Sequence, residues 1–246
     1  MKLTVLTLFF ISINFYTIFC QNIKAIQQYN KGKAAAEKEL YEEAIGFYSN
    51  AIKIDPGTKD VYFYRGVMYF SLLQNEKALE DFNKSIEANP GFAKAYNNRG
   101  LVYNRLEKNE LALSDYNESI KLNPEIGVTY HNRGLTYYNL KKYELAIEDY
   151  NQAIKLKFLD KRVYLNRGSA FGRIGKSKKG VNDFTKSIEL DPGFAAAYIN
   201  RGLIYCKFGK YPEAIKDYDK AVELKPDFIK IYKTRKNFIE YFNGKK

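Results

Sequence analysis

Large apolar residues in this chain return at three- and four-residue intervals rather than in strict alternation, the pattern of helices that each bury one face. In the stretch AYNNRGLVYNRLEKNELALSDYNESIKLNP, from Ala95 to Pro124, they are Tyr96, Leu106, Leu111, Tyr116 and Ile120. Two short helices fit, with a break around Glu107 to Asn109. Equivalent stretches place Gly175-Lys176 and Gly209-Lys210 at the break, and glycine ends a helix most cheaply in the left-handed conformation. The second helix stops at Asp55-Pro56, Asn89-Pro90, Asn123-Pro124, Asp191-Pro192 and Lys225-Pro226, because proline disfavours helix in the residue before it. The fourth stretch alone carries Phe158 instead.

The unit recurs every thirty-four residues, marked by Arg65-Gly66, Arg99-Gly100, Arg133-Gly134, Arg167-Gly168 and Arg201-Gly202, with Lys31-Gly32 before and Arg235-Lys236 after in the same phase. Small residues pair up along it: Gly66 with Ala78, Gly100 with Ala112, Gly134 with Ala146, Gly202 with Ala214, and Gly168 with Gly180. These are expected where paired helices touch. Sixteen residues after each repeated arginine comes an acid, giving Arg65 with Asp81, Arg99 with Asp115, Arg133 with Asp149, Arg167 with Asp183 and Arg201 with Asp217. The first copy has Lys31 and Phe47 there. Such charges are expected to pair within or between adjacent copies and to fix stacking register more than they add stability.

Period, helix-turn-helix plan, small contacts, the aromatic at Tyr48, Phe82, Tyr116, Tyr150, Phe184 and Tyr218, and the closing proline together resemble the tetratricopeptide repeat. The resemblance implies an all-α, right-handed α-solenoid of six repeats, 25–58, 59–92, 93–126, 127–160, 161–194 and 195–226, after a short lead-in at 21–24. Residues 227–246 are similar to the capping helix of such arrays, followed by a basic tail. The resemblance also places the residue before each basic one on a concave groove: Asn30, Tyr64, Asn98, Asn132, Asn166 and Asn200. Side-chain amides both donate and accept, so such a ladder can hold an extended peptide backbone, or it can bond neighbouring helices and water. The same phase adds His131, Leu135, Tyr138, Lys94, Arg105, Leu203 and Lys207, with Asn139, Leu101 and Cys206 beside them.

The first twenty residues differ in kind. Lys2 is the sole charge before Gln21, and residues 3–19 are almost wholly apolar, the wording of an export signal at 1–20 cut near Cys20 to Gln21. Retention as a membrane anchor over residues 3–19 and lipid attachment at Cys20 are the alternatives. The chain is then expected in a periplasm or secreted. Once the leader is cut, Cys206 is the one cysteine left, so no disulfide within the chain is expected.

A formal charge of +12 favours acidic partners. The charge concentrates in the fifth copy, where Lys161, Arg162, Arg167, Arg173, Lys176, Lys178 and Lys179 are accompanied by no acid between 161 and 182. That patch reads either as a solvated face or as a contact for an acidic protein, anionic glycan or lipid headgroups. Residues 170–177 satisfy a loose phosphate-loop pattern, but they fall at an inter-helix turn with no preceding strand, so nucleotide binding is not expected. His131 is the one histidine, and no cluster at ligand spacing or nucleophile–base set accompanies it. The expected function is a non-enzymatic scaffold for a protein or peptide, acidic by charge complementarity, with no cofactor, metal or small-molecule substrate. Nucleic acid is disfavoured because the leader removes the chain from it and most tyrosines fall at core phases. Membrane contact is expected only if the leader is retained.

Overall fold

The computed structural model describes the backbone of residues 2–57 and 59–228 and the side chains of residues 20–57 and 60–227. The expected capping helix and basic tail lie, beyond Phe228, outside the described residues, as do the side chains of the leader. Among the described residues there are twelve α-helices and no strand: α1 (Lys2–Glu37), α2 (Tyr41–Ile54), α3 (Lys59–Ser71), α4 (Asn75–Ala88), α5 (Ala93–Arg105), α6 (Asn109–Leu122), α7 (Gly127–Asn139), α8 (Tyr143–Lys155), α9 (Lys161–Arg173), α10 (Ser177–Leu190), α11 (Ala195–Lys207) and α12 (Tyr211–Leu224). A 3-10 turn, Pro226–Phe228, follows. The helices pair in sequence, and the chain divides into two compact units, Met1–Asn123 with α1–α6 and Pro124–Lys246 with α7–α12. Helix α1 takes in the apolar leader and the first helix of the first copy as one element. Among the described residues no helix is long and apolar enough to cross a membrane.

The expected break inside each copy is real and more uniform than glycine alone foretold. The residue just past each first helix is left-handed at Glu39, Leu73, Glu107 and Lys141 as well as at Gly175 and Gly209, with φ near +60° to +78°. The following amide then reaches back five residues, as in Gln74 N to Tyr69 O at 2.9 Å and Lys176 N to Phe171 O at 2.8 Å, closing the helix end. Between copies the residue before proline is extended and its side chain holds the turn: Asp55 Oδ1 accepts from Gly57 N at 2.9 Å, and Asp191 Oδ1 from Gly193 N at 2.8 Å. The fourth copy, lacking proline, ends instead on left-handed Lys157, and Asp160 caps α9 by accepting from Arg162 N at 2.7 Å.

Within each pair the small residues do bring the helices close, but the tightest neighbour of the repeated glycine is the aromatic ring sixteen residues later. A Cβ on Gly100 would lie 2.7 Å from Cε1 of Tyr116, and one on Gly66 would lie 2.9 Å from the same atom of Phe82. Tyr48, Phe82, Tyr116, Tyr150, Phe184 and Tyr218 are all fully or almost fully buried by this contact. Small residues on the second helix serve the reverse approach: a Cβ on Gly180 would meet the carbonyl oxygen of Gly168 at 2.9 Å.

Each repeated arginine lies at the centre of a clamp. Arg99 donates from Nε and Nη2 to both oxygens of Asp115 at 2.8 and 2.7 Å, and from Nη1 to Asn83 Oδ1 at 2.7 Å in the preceding copy. Tyr96 and Tyr103, three residues before it and four after it on α5, flank the guanidinium at 5.5 and 5.9 Å. The same forks join Arg65 to Asp81 and Ser49, Arg167 to Asp183 and Asn151, and Arg201 to Asp217 and Thr185. Arg133 forks onto Asp149 with Nη2 to Oδ1 at 2.6 Å. The pairs therefore bind within a copy, while the spare nitrogen of Arg65, Arg99, Arg167 or Arg201 reaches the copy before. In the first copy the cation survives without the acid, and Lys31 Nζ lies 5.9 Å above the Phe47 ring.

Burial pushes the Asp81 and Asp149 carboxyls upward even against the guanidinium each faces. A buried acid stripped of its cation is costly, so Arg99→Met is expected to lower unfolding free energy by about 3 kcal/mol. The double variant Arg99→Met/Asp115→Leu should recover most of that in urea unfolding. Additive losses would mean that the pair is not coupled. Leu73, 69% exposed and left-handed at φ 61°, gives the opposite expectation. Leu73→Gly relieves the Cβ strain and should raise stability by about 0.5–1 kcal/mol in the same assay.

Candidate functional site

The first helix of each pair carries the positions expected to bind. In the first unit these are α1, α3 and α5, and a hollow of 490 Å³ lies between α3 and α5, lined by Asp60, Phe63, Tyr64, Val67, Phe92, Lys94 and Asn98. Tyr64, which replaces the asparagine of the other copies, is held in an aromatic group. Its ring meets Tyr29 edge-on at 5.6 Å and Phe63 at 5.3 Å and stacks on Tyr48 at 6.2 Å. Asn98 Oδ1 accepts from its neighbour Asn97 at 3.3 Å. Asn30 and Lys94 are exposed, whereas Arg105 is engaged: its guanidinium stacks 3.5 Å from the Phe70 ring centroid and donates to Phe70 O at 2.7 Å.

In the second unit the first helices are α7, α9 and α11. Tyr138 from α7, Gly168, Ser169, Gly172 and Arg173 from α9, and Asn200, Leu203, Ile204 and Lys207 from α11 converge with Phe184 on a hollow of 270 Å³. Four predicted groove residues, Tyr138, Asn200, Leu203 and Lys207, are thus brought to one place. Asn200 spends its amide donor on Ala196 O of its own helix at 2.9 Å, and Asn166 and Leu135 are half-buried. His131 and Asn132 are not groove residues here. They are 7% and 8% exposed, because α7 lies against both α8 and α9, and the imidazole packs between Tyr150 at 5.9 Å and Phe158 at 5.7 Å. Phe158, standing where other copies have proline, fits beside it because Gly127 leaves room. A Cβ on Gly127 would lie 2.8 Å from that of Phe158.

The basic patch divides. Lys161 pairs with Asp191, Arg162 with Asp160 at 2.6 Å and Arg167 with Asp183 at 2.6 Å, acids just outside the 161–182 window. Lys179 lies 5.6 Å over the Phe171 ring. Arg173, Lys176 and Lys178 make no ion pair among the described residues, and the neighbouring Tyr138 raises the pKa of Arg173 from its ordinary value. The phosphate-loop look-alike is the end of α9 and the turn into α10, with no strand before it. A further hollow of 630 Å³, lined by Tyr198, Tyr205, Asp219 and charged neighbours, lies on α11 and α12 around Arg201, the face onto which earlier copies stack their successors.

One tetratricopeptide-repeat model matches residues 60–92, 93–126, 128–157 and 195–228, and a second such model matches 28–58 and 161–194. The chain belongs to the tetratricopeptide-repeat family. No curated protein sequence matches it significantly. Among solved structures it is similar to YrrB, described as a TPR protein with an unusual peptide-binding site (24% identity, 77% of this chain and 97% of that one, TM-score 0.62). It is also similar to pilF of Pseudomonas aeruginosa (17% identity, 92% and 99% covered, TM-score 0.76) and to a tetratricopeptide repeat protein of Parabacteroides merdae (22% identity, 85% and 83% covered, TM-score 0.65). At these identities the likeness establishes the fold.

Within this tetratricopeptide-repeat array, sequence reasoning missed the apolar floor of the second-unit hollow: Gly172, Phe184 and Ile204. The signal was available. Gly172 occupies the phase at which other copies carry Ala36, Phe70, Asn104, Tyr138 and Cys206. Among the described residues no three acids, cysteines or histidines converge as a metal site would require.

His131 gives the array an acid sensitivity. Burial, reinforced by Arg162 and opposed by Asp160, pulls its pKa from 6.5 down to about 4. As pH falls from 6.5 to 4 the unfolded chain takes up this proton before the folded one, so the contribution is complete above 6.5 and lost on the way to 4. Across that window the melting temperature of the wild type should fall more steeply than that of His131→Phe. Parallel curves would show that the imidazole does not contribute.

Proposed function

We propose that this chain is a non-enzymatic scaffold, exported through its apolar leader to a periplasm or out of the cell, whose first-helix faces take extended segments of other proteins. The observation that carries the reading is the convergence of α7, α9 and α11 side chains on one open hollow. Family membership supports a protein-interaction role, and the peptide-binding site named for YrrB supports a peptide as the bound form. Side-chain amides at Asn98, Asn166 and Asn200 offer main-chain hydrogen bonds, while the cations around them favour an acidic partner. Buried Asn132 has no such part.

The test is a crosslinking pull-down from envelope and secreted fractions with wild type and the Asn98→Ala/Asn166→Ala/Asn200→Ala variant, matched for melting. Capture by the wild type and at least tenfold weaker capture by the variant is expected. Equal capture would move the site away from the first helices. N-terminal sequencing of the scaffold itself, recovered from the same fractions, should begin at Gln21, whereas an intact leader would make the scaffold a membrane-tethered one.

A further inference from the structure

Two glycines, Gly168 and Gly172, line the second-unit hollow, a third, Gly180, lies against its Ile204, and they have different reasons to be there. A Cβ on Gly168 would strike the Phe184 ring at 2.8 Å, and one on Gly180 would strike the Gly168 carbonyl oxygen at 2.9 Å, so packing requires both. Gly172 is different. Its added Cβ would meet only Ile204 Cδ1, at the ordinary contact distance of 3.7 Å, and its backbone is helical. Glycine inside a helix costs about 0.5–1 kcal/mol relative to alanine, and neither packing nor backbone geometry here asks for that cost.

What Gly172 does is leave space. In the third and sixth copies the equivalent side chain covers the buried aromatic of the second helix: Asn104 Nδ2 donates to Tyr116 Oη at 3.1 Å, and Cys206 Sγ lies 3.6 Å from Tyr218 Oη. In the fifth copy the aromatic is Phe184, which has no hydroxyl to satisfy, and the equivalent side chain is absent. The result is a 270 Å³ hollow floored by Phe184, Leu203 and Ile204. Pockets for drug-sized ligands run from about 300 to 1,000 Å³, so this one suits a single large side chain better than a cofactor. Its rim carries Arg173 and Lys207, neither of which makes an ion pair among the described residues. Tyr138 lines the same hollow as Arg173.

We infer that this hollow is the specificity pocket of the array: it takes one large aliphatic or aromatic side chain of the bound protein segment, with an aspartate or glutamate next to it held by Arg173 and Lys207. The inference rests on the peptide-binding reading of the first-helix face. Desolvated apolar contact supplies the anchor, and the unpaired cations select for acid by charge complementarity.

The probe is a phage-displayed library of random twelve-residue peptides selected on the full chain. Enriched peptides should carry Leu, Ile, Met or Phe within two residues of Asp or Glu. Binding of a synthetic consensus peptide should weaken at least tenfold with Gly172→Phe, which fills the hollow, and at least tenfold with Arg173→Glu/Lys207→Glu, and it should weaken with added salt. Two measurements on the wild type do not depend on any variant folding. Alanine in place of the peptide's anchor should cost at least tenfold, and a benzophenone side chain at that position should crosslink to residues of α9 or α11. Peptides that bind Gly172→Phe as tightly as wild type, or that crosslink elsewhere, overturn the pocket while leaving the peptide-binding reading standing. Enriched anchors without acidic neighbours, the pattern expected of a purely apolar ligand, overturn the assigned charge selectivity. Failure of any peptide to enrich on the wild type overturns both readings.

Discussion

The arginine clamp is the contact on which the rest of the structure depends. In every copy after the first, one guanidinium satisfies a nearly buried carboxylate on its own second helix, and in most of them it also reaches a neutral acceptor on the second helix of the copy before. It lies between two aromatic side chains of its own helix, which flank the fork. A charge pair in this setting contributes little net stability compared with apolar residues, but its geometry is demanding. Helices that slid by one turn would leave a buried acid unpaired. The clamp therefore selects one stacking arrangement among the many that greasy helix faces allow.

Around it the glycine–aromatic contact sets how close two paired helices come, and the left-handed residue past each first helix sets the angle at which the chain turns back. These features are local and repeat, so they were legible in the sequence: the thirty-four-residue phase, the sixteen-residue pairing of Arg with Asp and the turn at Gly175 and Gly209 all correspond to what the structure holds. Spacing put the small residues where paired helices touch: a Cβ on Gly134 would lie 3.2 Å from Ala146 O, and one on Gly180 would lie 2.9 Å from Gly168 O. It left out the ring that comes nearest the repeated glycine. Counting along the chain brings Gly100 and Ala112 together, whereas the ring of Tyr116 is the atom group that reaches the glycine.

The site was less legible because it arises from departures from the repeat rather than from the repeat. Phase placed His131 and Asn132 on a binding face, but whether a residue at a given phase is open depends on the side chains packed around it. In the fourth copy both are buried, and Tyr150 and Phe158 of that same copy flank the imidazole. The converse holds at Gly172, where a missing side chain opens the surface. A repeat protein of uniform copies would present the same chemistry at every step. In this chain the substitutions Tyr64, Phe158 and Gly172 are what make one part of the array different from another.

The clamp also governs how such a chain can change length. Its arm toward the carboxylate spans the turn inside a copy, and its arm toward the preceding acceptor spans the turn between copies, each over sixteen residues. An inserted residue in either turn would pull one arm off its partner, so the tight connections leave no room for gradual drift. Loss or gain of a whole thirty-four-residue unit leaves both arms intact at every remaining junction. Duplication of complete copies is thus the change in length that this architecture absorbs most readily, and each new copy arrives free to lose or acquire a side chain like that absent at Gly172.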